Sequence, residues 1–114
     1  MRKQEKQTLE VIREALRAYR GANITYRDLL GRVSSRAILP FRVYERGGIV
    51  FVQSYCWLAK DAVAFALPGI LRIDLRTKVV QKVVYARIRD EHDMLCQGLA
   101  QGMHWVASVN LEEV

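Results

Sequence analysis

Three aromatic side chains and three arginines are the strongest candidates in the sequence for contacts with a ligand. They are Tyr26, Arg36, Arg42, Tyr55, Trp57 and Arg72. Aromatic rings stack on nucleic-acid bases and arginines hold phosphates, a combination found in single-strand readers on small barrels. The set predicts a surface that binds single-stranded DNA or RNA, or a nucleotide-like anion. A half-exposed strand surface, with the tyrosines in the core, is the alternative interpretation.

Arg72 also begins a basic band that continues with Arg76, Lys78 and Lys82. Such a band predicts contacts along a phosphate backbone and salt-dependent binding, although residues of this kind are often only solvated. The chain has 18 Lys and Arg against 12 Asp and Glu, a formal charge of +6. This excess favours a polyanion or an acidic surface as the partner.

Patterns typical of enzymes and metal sites are not found. His92 and His104 have no set of Cys or carboxylate ligands at metal spacing, although His92 lies among acidic residues. No Gly-rich phosphate loop, nucleophile elbow or zinc-helix motif occurs. We therefore predict a domain that is not an enzyme and that uses no metal and no cofactor.

The lead segment, residues 1–21, is predicted to be helical. Leu9, Ile12 and Leu16 recur at three- and four-residue steps with charged residues between them, which is the pattern of an amphipathic helix. Gly21 is a suitable end for this helix.

From residue 22 to residue 76 the apolar period changes to two, which predicts short strands with tight connections. We expect them near residues 22–28, 35–44, 49–57, 63–67 and 70–75. Curling limits the exposed edges of such a sheet, so the segment predicts a five-stranded antiparallel barrel of the SH3 or Sm kind. The fold class is α+β, mainly β.

Two positions in this region carry specific backbone predictions. Pro40 cannot donate a ladder hydrogen bond and is expected at an edge or a bulge, and Gly47-Gly48 is expected to close a hairpin. In the strand that contains Pro40, the odd positions from Ala37 to Val43 are predicted to form the apolar face. Arg36 and Arg42 would then lie on the opposite, charged face.

Residues 77–114 are predicted to add a helix and a final strand. The valines at positions 79, 80, 83 and 84 fit either a helical stripe or a strand, whereas the segment from Asp90 to Gly102 favours a helix. Alternation from Trp105 to Leu111 predicts the final strand. The apolar surface of this segment suggests a homodimer or a regulatory protein partner, unless the segment folds back to complete the core.

The length of 114 residues fits one domain. Cys56 and Cys96 lack the density of a disulfide scaffold and are expected to be buried thiols. Charged residues throughout positions 1–20 exclude a signal peptide, and the longest apolar run is broken by Pro68-Gly69 and is too short for a membrane span. We predict a cytoplasmic protein without membrane contact.

A series of short motifs resembles the WYL domain family. In order, they are Glu14-Ala15-Leu16, Ile24-Thr25-Tyr26, Arg36 to Pro40, Gly47-Gly48, Val50-Phe51-Val52 with Tyr55, and Val63 to Ile70. The register runs from the Val50 triplet to Ile70 without a gap, and the resemblance covers about residues 12–75. The triplet that names the family is Trp-Tyr-Leu in relatives.

The resemblance implies a Sm-like or SH3-like barrel that binds nucleic acid or a small ligand in transcription regulators or defence systems. Arg36 is the strongest single candidate because it matches a family position. At Val63, Ala66 and Gly69, the family commonly carries arginines that line its ligand surface, and these charges are absent here. The second hypothesis is therefore a protein-interaction or dimerisation module whose ligand surface has decayed.

Overall fold

The computed structural model of the chain describes residues 2–92 and 104–108. Its elements follow in chain order. They are helix α1 (Lys3–Ala18), strands β1 (Arg20–Arg27), β2 (Val33–Arg46), β3 (Ile49–Cys56) and β4 (Asp61–Ala66), the 3-10 helix η1 (Leu67–Gly69), strand β5 (Ile70–Val79), helix α2 (Lys82–His92) and strand β6 (His104–Ser108). The prediction of an α+β, mainly β fold with a lead helix, a later helix and a final strand is confirmed.

Helix α1 ends earlier than the sequence suggested. Tyr19 adopts the left-handed conformation (φ 54°, ψ 43°), and its backbone N–H caps the carbonyl of Ala15. The expected end at Gly21 is wrong, because this left-handed residue already turns the chain and Gly21 lies inside β1. The apolar face of α1 is as predicted, with Leu9, Ile12 and Leu16 buried in the core.

The strands form one antiparallel sheet in the order β4-β3-β2-β1-β5, with β6 pairing with β2. Gly47 and Gly48 both have positive φ, 62° and 79°, as the tight β2–β3 hairpin requires. The register between β2 and β3 shifts between Pro40 and Arg42. This β-bulge lets a proline lie within a central strand, as predicted for Pro40.

The sheet curls until its two edges approach each other. Strands β4 and β5 lie at opposite edges, yet only the three residues of η1 join them. Tyr26 of β1 binds across this gap, because its hydroxyl accepts a hydrogen bond from the Ala66 backbone N–H at 3.1 Å and its ring packs edge-on against Phe65. The pairings within the described ranges include no ladder between β4 and β5, so closure into a barrel stays a prediction.

One face of the sheet, here called the inner face, is buried together with α1. It carries Ala22, Ile24, Ile38 and Cys56, all at or below 2% exposed. The thiol of Cys56 is free and buried, as expected; Cys96 lies outside the described residues. The opposite face, called the outer face, is the one partly left open to solvent.

The ambiguous valine-rich segment resolves into two elements. Strand β5 continues to Val79, beyond the expected end of the sheet at residue 76, and α2 begins at Lys82. The backbone N–H of Val80 donates to the carbonyl of Tyr19, which fixes the turn between these elements at the end of α1. The remainder of the predicted Asp90–Gly102 helix, beyond His92, lies outside the described residues. Within the described part of the chain, no helix is long and apolar enough to span a membrane.

Candidate ligand-binding surface

The six predicted site residues divide between the two faces of the sheet. Arg36 pairs directly with the buried Ile24, so its side chain lies on the inner face. Tyr26 is also on this side, two residues further along β1. The other four, Arg42, Tyr55, Trp57 and Arg72, lie on the outer face. The structure therefore does not bring all six together.

Arg36 lies at the rim of the core. Its half-buried guanidinium donates to Ser34 Oγ at 3.2 Å and contacts Cys56 Sγ at 3.8 Å. The expectation that it faces away from the apolar side of β2 is wrong. Residues Ile38 to Phe41 are all buried, so both faces of β2 pack against other elements around the bulge, and the alternation does not reveal which face is open.

A shallow polar groove of about 340 Å³ crosses the outer face where β1, β2 and β5 lie side by side. We call it the polar groove, and its lining residues are Asn23, Ile24, Thr25, Ser35, Arg36, Ala37, Arg72 and Asp74. The Arg72 side chain is 75% exposed and its Nε donates to Asp74 Oδ2 at 3.0 Å. Of the two arginines in the lining, only Arg72 has its side chain on the outer face, and Asp74 partly neutralises its charge, whereas the Arg36 guanidinium points to the inner face.

An aromatic pair adjoins the polar groove. The rings of Tyr55 and Trp57 meet edge to face, with centroids 5.7 Å apart, and the Trp57 backbone N–H donates to the carbonyl of Ala37. The guanidinium of Arg76 lies over the Trp57 ring, 5.2 Å from its centroid. Arg72, Asp74 and Arg76 alternate along β5, so they share the outer face. Cation and aromatic ring therefore lie on one continuous surface.

A second and larger cleft opens beside Trp57, between β1, the end of β5 and α2. We call it the valine cleft; it has a volume of about 670 Å³ and is lined by Gly21, Trp57, Arg76, Lys78, Val79, Val80, Gln81, Val84 and Ile88. Of the predicted basic band, Arg76 and Lys78 line this cleft and Arg72 lines the polar groove. The fourth member, Lys82, lies in the first turn of α2.

Arg42 occupies a more enclosed part of the outer face. It pairs with Gln53 on one side and with Ser108 of β6 on the other, and its side chain is half-buried. Gln53 is itself 1% exposed. This position is less accessible to a polymeric ligand than the surface around Arg72.

His92 at the end of α2 packs against Tyr55, with ring centroids 4.7 Å apart, and its Nδ1 lies 3.6 Å from Asp61 Oδ1. Among the described residues, no group of three or more His, Cys, Asp or Glu side chains could hold a metal ion. The His92 contacts connect α2 to the start of β4.

The tip of the β1–β2 hairpin is a feature that the sequence reading missed. Leu29 and Leu30 are 102% and 76% exposed, on a turn held by Asp28, whose Oδ1 accepts from the backbone N–H groups of Leu30 and Arg32. These hydrogen bonds, first of all that from the Arg32 backbone, lower the pKa of the Asp28 carboxyl. The leucines are thus displayed by an ordered turn. In the sequence, the run Asp28-Leu29-Leu30-Gly31 places two adjacent leucines between turn-forming residues, and this pattern indicates an exposed apolar tip.

The fold defines the class of the molecule: a small α+β domain in which one helix packs on a curled antiparallel sheet. The family model for the WYL domain matches residues 7–75, more than half of the chain. The chain therefore belongs to the WYL domain family, which confirms the resemblance drawn from its motifs.

Among solved structures, the chain is similar to the proteasome accessory factor B/C (PafBC) of Arthrobacter aurescens, with a TM-score of 0.66 and 21% sequence identity. The match covers 71% of this chain but only 13% of the PafBC chain. This likeness concerns the fold alone. No curated protein gives a significant match to the sequence.

Proposed function

We propose that the chain is a non-catalytic, ligand-sensing regulatory domain of the WYL type, which binds single-stranded nucleic acid over the outer face of its sheet. The observation that carries this proposal is the placement of Arg76 over the ring of Trp57, next to the polar groove that contains Arg72. Stacking rings and exposed guanidinium groups on one surface are what single-strand binding requires.

The position of β5 supports this assignment. It is an edge strand, so Arg72 and Arg76 are both exposed, and four residues of strand place them about 13 Å apart. Each can contact a different phosphate of an extended strand, while bases reach the rings of Trp57 and Tyr55. The net charge of +6 favours the approach of a polyanion. A nucleotide-like anion would use the same groups.

The regulatory part of the proposal comes from the family. WYL domains often occur within transcription regulators or defence systems, where they pass a binding signal to an effector. We propose the same role here, with a cytoplasmic location. The lost family arginines do not contradict it, because the proposed surface is formed by β1, β2, β5 and the end of β3, whereas Val63, Ala66 and Gly69 lie on β4 and η1.

Binding of a labelled single-stranded DNA or RNA oligonucleotide is expected to respond in opposite directions to two neighbouring substitutions. Arg72→Ala should weaken binding about 3- to 10-fold at low salt and make the salt dependence less steep by about 0.7, because one phosphate contact is lost. Asp74→Asn should strengthen binding, because it releases Arg72 from its carboxylate partner. Fluorescence anisotropy at low and high salt measures both effects.

The matched control for this prediction is Arg87→Ala, which removes the same charge from an exposed position on α2 outside the groove and the cleft. If Arg87→Ala weakens binding as much as Arg72→Ala, only the net charge matters and the groove is not the site. The absence of binding by the unmodified chain at low salt would contradict the proposal altogether.

The second candidate function is a protein-interaction or dimerisation module, and the exposed leucine tip favours it. Isolated apolar residues on a surface are ordinary, but two adjacent leucines on an ordered turn, with Val33 55% exposed beside them, form a small patch. Self-association through this patch is the simplest form of the candidate.

Under this candidate, the unmodified chain sediments as a reversible dimer and the double variant Leu29→Ser/Leu30→Ser as a monomer at all concentrations. Because both side chains are exposed, the free energy of unfolding should change by less than about 0.5 kcal/mol. Sedimentation equilibrium together with urea unfolding tests both statements. An unmodified chain that stays monomeric would eliminate dimerisation through the tip.

A further inference from the structure

The valine cleft combines a cationic rim with an apolar wall. Four aliphatic side chains of its lining come from the end of β5, the following turn and α2: Val79, Val80, Val84 and Ile88. Trp57 adds an aromatic ring to the lining, and Arg76 and Lys78, both exposed, add two positive charges. A volume of about 670 Å³ falls within the usual range for sites that bind small organic molecules.

Among the described residues, no carboxylate neutralises the charges at this cleft. None of the described residues that line the cleft carries a carboxylate. Within residues 2–92, neither Arg76 nor Lys78 has an acidic partner at ion-pair distance. The first turn of α2, which begins just after Gln81 of the lining, contains no acidic residue either. The partial positive charge of this helix terminus therefore adds to that of the two side chains.

Gly21 lies in the lining of the cleft, in close contact with Trp57 and Arg76. A Cβ atom at this position would lie 3.1 Å from the carbonyl oxygen of Ile38, 3.2 Å from Arg76 Cδ and 3.3 Å from Trp57 Cζ3. The absence of a side chain lets the indole lie directly against β1 with Arg76 over it. The ring is thereby held as a fixed wall of the cleft.

We propose that the valine cleft is an effector site for a small organic anion with an apolar body, of the aryl- or alkyl-carboxylate class. Its carboxylate would lie between Arg76 and Lys78, and its body would lie between Trp57 and the aliphatic wall. A nucleotide fits less well, because Gln81 and the indole N–H of Trp57 are the uncharged polar groups among the described lining side chains, too few to partner both a base and a ribose. The cleft shares Arg76 and Trp57 with the proposed nucleic-acid surface, but the proposal does not depend on nucleic-acid binding in the polar groove.

The direct test uses 1-pyrenebutyrate as the probe, with 1-pyrenebutanol as its neutral counterpart and adenosine monophosphate as the competing class. The carboxylate should bind at least about 10-fold more tightly than the alcohol, since it gains charge-assisted hydrogen bonds. It should also bind more tightly than the nucleotide. Fluorescence titration of the full chain measures all three affinities.

Two neighbouring valines on α2 provide the matched variants. Val84→Phe fills the cleft and is expected to reduce the affinity for 1-pyrenebutyrate at least 10-fold, whereas Val83→Phe should leave it unchanged because Val83 is 79% exposed and does not line the cleft. Lys78→Ala, at an exposed strand end, should reduce it about 3- to 10-fold, whereas Lys6→Ala on α1 should not. Urea unfolding shows whether each variant is folded.

Three results would overturn the proposal: equal affinities for the acid and the alcohol, equal effects of the two valine variants, or tighter binding of the nucleotide. The surface variant Lys78→Ala keeps the test decisive if Val84→Phe does not fold. Arg72→Ala should not change the affinity for the probe, so the failure of one site is distinguishable from the failure of the other.

Discussion

Replacing Tyr85 with Ala is expected to lower the free energy of unfolding by about 3–5 kcal/mol. The Tyr85 side chain is fully buried near the start of α2, and its ring centroid lies 5.4 Å from that of Tyr19 and 5.8 Å from that of Phe41. Its hydroxyl donates a hydrogen bond to the carbonyl of Pro40, at the bulge of β2. Removing the ring leaves a cavity between α2, the end of α1 and the sheet, which is the main source of the loss.

Two further variants separate the ring from the hydroxyl. Tyr85→Phe keeps the packing and removes one hydrogen bond, so it should cost about 0.5–1.5 kcal/mol. Val83→Ala, at an exposed position of the same helix, should cost less than about 0.5 kcal/mol. Urea unfolding followed by far-UV circular dichroism measures the series. If Tyr85→Ala costs no more than Tyr85→Phe, the ring does not hold α2 in place.

The position of α2 matters for function because α2 forms one wall of the valine cleft. Val84 and Ile88 belong to this wall, while Tyr85 lies between them in sequence and faces the core. A variant that loosens α2 should therefore weaken binding in the cleft and leave the polar groove intact. The two proposed sites differ in what supports them: helix packing in one case, strand pairing in the other.

Features that depend on local chemistry could be predicted from the sequence. The apolar face of α1 follows from the spacing of Leu9, Ile12 and Leu16, and the β2–β3 hairpin follows from two glycines that tolerate positive φ. The bulge at Pro40 follows from its missing N–H group. In each case a residue type or a short-range spacing is sufficient, so no knowledge of the neighbouring elements was needed.

The faces of the strands could not be predicted, because they depend on what covers each side. Alternation in β2 suggested that Arg36 points away from the core, yet it pairs with Ile24 and lies on the inner face. A bulge changes the alternation within one strand, and a strand buried on both sides has no polar face to mark solvent. For the same reason Tyr26, Arg36, Arg42, Tyr55 and Trp57 were expected to share one face, whereas they are divided between two.

Contacts with residues distant in the sequence also determine where the C-terminal elements begin and end. The valine-rich stretch around residue 80 is compatible with strand or helix by composition, and it contains the end of β5 and the start of α2. The deciding contacts come from Tyr19 and Pro40, which bind Val80 and Tyr85 respectively. Neither contact has a local sequence signal, so composition alone left both alternatives open.

Relatives commonly carry arginines at the positions of Val63, Ala66 and Gly69. Their absence here raises the question of whether arginines could be reintroduced at these positions. Gly69 shows that this is not so at one of the three positions. A Cβ atom there would lie 2.6 Å from the Arg27 carbonyl oxygen and 2.7 Å from Tyr26 Cε1. The space that a side chain would need is occupied by the contact of η1 with β1, where the sheet edges approach each other.

Gly69→Arg is therefore expected to lower the free energy of unfolding by about 1–3 kcal/mol or more, instead of restoring a ligand contact. The clash involves backbone, which moves less readily than the end of a side chain, so Gly69→Ala should already cost a large part of this amount. Val63→Arg is the matched family-position control. Val63 packs against the edge of the core but is only half-buried, so the stem of an arginine can lie along this edge with its charge in water, and the cost should be smaller.

Urea unfolding of the three variants, combined with oligonucleotide titration, gives the outcome. If Gly69→Arg is as stable as the unmodified chain, the contact between η1 and Tyr26 is not tight. The gap between the β4 and β5 edges is then accessible to a ligand. If Gly69→Arg is destabilised while Val63→Arg is not, the position of Gly69 serves the contact between the two sheet edges in this chain instead of a ligand contact. Recognition would then have to come from the outer face of the sheet, where Arg72, Arg76 and Trp57 are found.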